Sequence, residues 1–106
     1  MATYEDFQKL EFKIAKIIEA SDIEGASKLL KLKVDLGTEQ RQIVAGIKKT
    51  YQAQDLLGKE VVIIVNLDPK VVMGVESQGM LLAASDENGP ILMRPDKDVP
   101  LGSIVK

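Results

Sequence analysis

Residues 50–66, TYQAQDLLGKEVVIIVN, hold the change of pattern that decides the fold. Thr50 can cap a helix and Gly58 stands where one would stop, so YQAQDLL predicts one or two helical turns. KEVVIIVN follows, so dense in Val and Ile that it reads as a well-buried strand. A short helix therefore separates two groups of strands.

Upstream, residues 11–18 begin with Phe12 and Ile14 alternating with Glu11 and Lys13, and the phase slips at Ala15-Lys16-Ile17. That slip predicts a long first strand with a bulge or bend. In LLKLKVDLG (29–37), Leu30, Leu32, Val34 and Leu36 fall on one face and Lys31, Lys33 and Asp35 on the other. The turn GTEQ leads to a third strand around residues 41–46, close enough to form a hairpin with the second. Downstream, NLDPKVVMGVESQ reads as a loop framed by Asp68-Pro69 and by Gly74 and Gly79, and GMLLAAS as a further strand. DENGP turns the chain into ILMR, and PDKDVPLG leads to SIVK, two short strands beyond the main set. Near the amino terminus Thr3 can cap a short helix with Asp6 three residues on, placing Tyr4, Phe7 and Leu10 on one face.

Three strands, a helix and two strands suit an all-β OB-fold, a five-stranded Greek-key barrel that closes its own sheet edges. An SH3-like barrel is the alternative, and the helix before the fourth strand favours the OB reading. At 106 residues one domain is expected, with the barrel at roughly 11–85 and a carboxy-terminal extension at 86–106.

Composition narrows the function. Without cysteine or histidine there is no disulfide, thiol nucleophile or zinc-thiolate site, and the commonest acid/base and metal ligand is missing. No metal or cofactor is expected. The paired carboxylates Glu5/Asp6, Asp86/Glu87 and Asp96/Asp98 sit in predicted turns or a helix start, where capping and solvation account for them. Ser77 has no histidine to activate it, and Gly74 and Gly79 lack the strand-to-helix context of a phosphate loop. The longest strongly apolar run, Val61 to Val65, is too short to span a bilayer, and the amino terminus is acidic rather than basic. A noncatalytic cytoplasmic protein with no membrane association is the expectation.

The net charge of −2 conceals an uneven distribution. Residues 1–24 hold three Lys against six acids, whereas residues 26–49 hold Lys28, Lys31, Lys33, Arg41, Lys48 and Lys49 against only Asp35 and Glu39. An OB barrel commonly binds on its second and third strands and the adjoining loops, where Lys28, Lys31, Lys33 and Arg41 fall and can neutralise phosphates. Outward lysines also keep a strand soluble, so the charge alone does not choose between the two roles. The only aromatics, Tyr4, Phe7, Phe12 and Tyr51, avoid those strands, which favours a folded RNA read by backbone shape over a stacked single strand.

The stretch NLDPKVVMGVESQGMLLAAS (66–85), with LLKLKVDLG and RQIVAGI, resembles the tRNA-binding domain found at the carboxy end, or as a separate subunit, of methionyl-tRNA synthetases. The N-L-x-P, M-G and S-x-G-M motifs carry the likeness, which covers nearly the whole chain. The resemblance implies an OB-fold that binds tRNA largely irrespective of sequence and raises tRNA affinity for a synthetase catalytic chain. It places Lys33, Arg41, Asn66, Ser77 and Met80 at motif positions facing tRNA, beside Lys28, Lys31 and Lys70. Asp68 and Val71 stand where relatives often carry lysine, which thins the loop's positive charge. The family dimerises through a carboxy-terminal extension when free-standing; here the apolar candidates are Ile91, Leu92, Met93, Leu101, Ile104 and Val105. A chaperone or an adaptor of a synthetase complex on the same barrel is the alternative.

Overall fold

A computed structural model describes residues 1–106. The chain opens with helix α1 (Tyr4–Gln8), held by a capping box: Asp6 N–H donates to Thr3 Oγ1 at 3.2 Å and Thr3 N–H to Asp6 Oδ2 at 3.0 Å. The bond from Thr3 holds the Asp6 carboxyl below its ordinary value.

Strands β1 (Phe12–Asp22), β2 (Leu30–Asp35), β3 (Gln40–Ala45), β4 (Glu60–Ile64) and β7 (Met80–Leu81) form an antiparallel sheet in the order β3-β2-β1-β4-β7, the five strands of an OB barrel. The long β1 pairs with β4 along Phe12–Lys16 and with β2 along Lys16–Asp22, shifting register between Ile17 and Glu19. Consecutive burial of Ile14 and Ala15 is the phase slip legible in the sequence, and the bend lets one strand serve both halves of the barrel. Leu30, Leu32 and Val34 on β2, Ile43 on β3, and Val61 and Ile63 on β4 are wholly buried. Helix α2 (Ala53–Leu56) adds Leu56, also wholly buried, to this core. Just beyond it, Gly58 N–H donates to Ile17 O at 2.8 Å and fastens the helix to β1.

Three expectations need correcting. Thr50 does not cap α2. Gln52 occupies the cap position without a side-chain bond, while Thr50 ends a separate turn in which its N–H donates to Ile47 O at 3.1 Å. The segment 66–79 is no simple loop: β5 (Lys70–Val72) and β6 (Val75–Ser77) form a hairpin through Met73-Gly74. Both turn residues have positive φ, 49° and 78°, as a two-residue primed turn demands. Finally, GMLLAAS is two strands. The chain turns at Leu82, whose N–H donates to Val62 O and whose carbonyl accepts from Met93 N–H. It leaves the barrel as β8 (Ala83–Asp86), which pairs with β9 (Gly89–Leu92).

The carboxy-terminal segment then returns across the barrel. Val99 N–H donates to the carboxylate of buried Glu60 at 3.0 Å, and β10 (Ile104–Val105) pairs with β1 at Phe12 and Lys13. This strand covers the β1 edge that β2 leaves open after the bend.

Candidate nucleic-acid interface

Alternation on β2 buries its leucines and turns Lys31 and Lys33 outward, both exposed. The pairing registers build the rest of that face. Lys31 lies between Ser21 on β1 and Val44 on β3, and Lys33 between Glu19 and Gln42. Lys33 Nζ sits 3.7 Å from Glu19 Oε2, with both side chains largely exposed. Such an exposed pair contributes little to stability. Lys31 and Lys28 make no ion pair and point into solvent. Lys70, exposed on β5, faces Ser77 across the hairpin.

The other motif residues are engaged within the fold. The Arg41 guanidinium donates to the carbonyls of Val65 and Gln78 and pairs with Glu39, so it ties the start of β3 to the ends of two loops. Asn66 Oδ1 accepts from Glu11 N–H at 2.8 Å while its Nδ2 donates to Lys9 O at 2.6 Å, joining the exit of β4 to the entrance of β1. Ser77, 6% exposed, accepts from Val44 N–H and donates to Gly79 O, each at 3.0 Å. Gly79 has φ 143°, and a Cβ there would lie 2.7 Å from Ile64 O. Met80, by contrast, is 48% exposed.

Two residues that sequence reasoning passed over complete the clasp. Gln78 N–H donates to Gln42 O at 2.7 Å, Gln42 N–H donates to Gln78 Oε1 at 3.0 Å, and Gln42 Nε2 reaches Glu76 O at 2.8 Å. The alternation of QIVA, which turns Gln42 and Val44 outward together, was the available signal. The barrel thus closes between β3 and the motif loop by side-chain bonds and a single backbone bond at Gln78 rather than by a strand ladder.

This face presents the exposed ammonium groups of Lys28, Lys31 and Lys33. No group of three or more His, Cys, Asp or Glu side chains comes together. Among the carboxylate pairs, Asp6 caps α1 and Asp86 accepts two backbone N–H groups in the β8–β9 turn.

The carboxy-terminal apolar residues divide. Ile91, Met93 and Ile104 are exposed, and Leu101 and Val105 half-buried, but Leu92 is only 8% exposed and belongs to the core, so it is removed from the set able to meet a partner. Ile104 and Val105 line a groove of about 380 Å³ with Tyr4, Phe7 and Phe12. The Phe7 ring stacks on both Tyr4 and Phe12. The helical side of this groove was not anticipated as a contact surface, although the shared face of Tyr4, Phe7 and Leu10 was readable.

Residues 12–104 match the family model described as "Putative tRNA binding domain". The chain is 52% identical over 103 residues to methionine–tRNA ligase of Thermococcus onnurineus, covering 97% of this chain and 14% of that one. It is 50% identical to the ligase of Caldanaerobacter subterraneus, covering 16% of it. It therefore spans about one seventh of the length of such relatives. Among solved structures, a MetRS-related protein from Pyrococcus horikoshii superposes with TM-score 0.93 at 39% identity, covering 100% of this chain and 98% of that one. The chaperone CsaA from Bacillus anthracis superposes with TM-score 0.92 at 30% identity, covering 100% and 99%.

Proposed function

The chain belongs to the tRNA-binding domain family, and from that premise we propose that it is a noncatalytic module that grips folded tRNA by its phosphate backbone, largely irrespective of sequence. The observation that carries this reading is the row formed by Lys31 and Lys33, with Lys28 before it, on an exposed face beside a loop whose shape is fixed by Arg41, Asn66 and Ser77. Lysines supply point charges for phosphates, and the locked loop holds Met80 and the hairpin at a constant distance from them.

The module serves a methionyl-tRNA synthetase, as an appended domain or a separate β-type subunit, and works in the cytoplasm. By holding tRNA near a catalytic chain it raises the effective concentration of substrate, while aminoacylation takes place on that other chain. Filter binding of folded tRNA at rising salt tests the charge reading. Affinity falls with salt, and a flat salt dependence would reject it.

As a free-standing protein the chain forms a homodimer. Two observations support this. Its accessible surface is 6921 Å², against about 5,800 Å² for a folded monomer of this mass. The groove of Tyr4, Phe7, Phe12, Ile104 and Val105 also leaves aromatic and aliphatic side chains uncovered. Sedimentation at micromolar concentration gives twice the chain mass, and a monomer would exclude the dimer.

The likeness to the chaperone favours a second reading, in which the barrel holds unfolded polypeptide. Side-by-side binding of folded tRNA, single-stranded RNA and an unfolded polypeptide separates the two. Preference for polypeptide selects the second.

A further inference from the structure

Beside the lysine row lies a second depression, of about 270 Å³, between the end of β3 and the place where the chain leaves the barrel. Val44, Ile47, Met80, Leu82, Ala83 and Pro90 contribute to its lining, and no charged side chain does. It exists because β3 and β7 are not joined by a ladder: the Ser77 hydroxyl and the Gln42–Gln78 clasp hold the seam at one end only. The open strand edges bring backbone N–H and C=O groups to an otherwise apolar cleft.

Positive charge surrounds this cleft. Lys31 is the cross-strand partner of Val44. Lys28 O accepts from Lys48 N–H at 3.2 Å, which sets Lys28 beside the Gly46–Ile47 wall. Across the cleft the Lys49 side chain lies against Gly89, next to Pro90. Lys28, Lys31 and Lys49 are exposed and make no ion pair; Lys48 is satisfied by Asp22 at 3.4 Å. The nearby carboxylate of Asp86 is turned into its own hairpin.

We infer that this cleft receives one unpaired nucleobase of a folded RNA while the flanking lysines hold the adjoining phosphates, an inference that rests on the tRNA-binding reading above. A flat heterocycle with a polar edge matches apolar walls interrupted by backbone donors and acceptors. The volume falls just below the roughly 300–1,000 Å³ of drug-sized ligand pockets, as one base requires. No aromatic ring is available there: the Tyr51 hydroxyl accepts from Leu92 N–H and its ring faces Lys59, while Tyr4, Phe7 and Phe12 line the other groove. The base instead lies against aliphatic groups and the polarisable sulfur of Met80, which makes favourable contacts with aromatic rings. Such a site selects an RNA that presents an unstacked base at a fixed distance from its backbone, which is a means of recognising a folded shape without reading a duplex sequence.

The test is chemical probing of unmodified tRNA with dimethyl sulfate and a carbodiimide, with and without protein. Wild type protects one unpaired base. Ala83→Leu, which fills the cleft from an exposed position without touching a lysine, restores that base's reactivity and weakens binding roughly five- to tenfold, the lower part of what a stacked base contributes. The salt slope stays unchanged. Met80→Ala gives the same restoration in case Ala83→Leu perturbs folding, which circular dichroism reports. Tight tRNA binding with no base protected, or with protection unaltered in both variants, overturns the cleft assignment alone. Absence of any tRNA binding overturns it together with the proposed function. Loss of unfolded-polypeptide binding in these variants, with RNA binding intact, assigns the cleft to polypeptide and also overturns it.

Discussion

The motif loop and the lysine strand lie side by side and are built in opposite ways. In the loop, Ser77 and Asn66 each make two hydrogen bonds that tie the loop in place, Arg41 bonds two carbonyls, and Gly79 leaves no room for a Cβ. On β2, Lys31 makes no ion pair and Lys33 makes only a long, exposed one. Arg41, Asn66 and Ser77 are therefore engaged as scaffold while Met80 stays exposed, and on the proposed reading the plain alternation beside them meets the phosphates. Substitutions should divide accordingly: those at the hydrogen-bonded loop positions lower stability first, and those on the strand lower affinity at unchanged stability.

The largest effect is expected at Gly79. In Gly79→Ala the new Cβ meets Ile64 O at 2.7 Å with the backbone at φ 143°, which costs about 3 kcal/mol or forces the loop off β4. Urea unfolding of the variant reads this directly. Ser77→Ala comes next: it leaves the Val44 N–H without its partner and costs roughly 1–3 kcal/mol. Arg41→Ala sharpens the comparison, because the charge pattern alone would make Arg41 a phosphate contact. Its engagement with Val65 O and Gln78 O predicts a lower urea midpoint and an unchanged salt slope for tRNA binding. A shallower slope at wild-type stability would move Arg41 to the ligand side.

How much of this was legible follows from where the forces act. The alternation of β2, the bent β1 and the buried run of β4 were readable because burial marks the sequence locally, and the helix before β4 was readable from its Gly58 stop though not from its cap. The β5–β6 hairpin was not, because its turn places Met73 rather than Asn or Asp at positive φ, and that residue type does not announce a turn. The roles of Asn66 and Ser77 were hidden for a different reason. Their partners Glu11 and Val44 lie 55 and 33 residues away in sequence, so no local pattern reports them. Leu92 looked like part of an apolar surface strand, yet the β8–β9 hairpin folds back and turns it into the core. Asp68 and Val71, where the resemblance led to an expectation of lysine, are both exposed.

The smallest effect concerns acid. Asp6 has its folded pKa depressed by the Thr3 bond, so its contribution is present above the ordinary carboxylate value, near pH 4, and is lost as pH falls through the lower folded value. Protection factors of the α1 amides, with the intrinsic pH dependence of exchange divided out, should fall below about pH 4 while those of the barrel strands hold. Thr3→Asp, which keeps a capping oxygen, should behave more like wild type than Thr3→Ala does.

On the proposed reading the β2 lysines hold phosphates while the motif loop holds the fold. Its most direct test is log affinity for folded tRNA against log salt for wild type and the double variant Lys31→Ala/Lys33→Ala, with urea midpoints measured alongside. The expected slope is shallower by roughly two, about one for each phosphate no longer neutralised, with stability within about 0.5 kcal/mol of wild type. An unchanged slope with a lowered urea midpoint would contradict it, because the lysines would then belong to the scaffold.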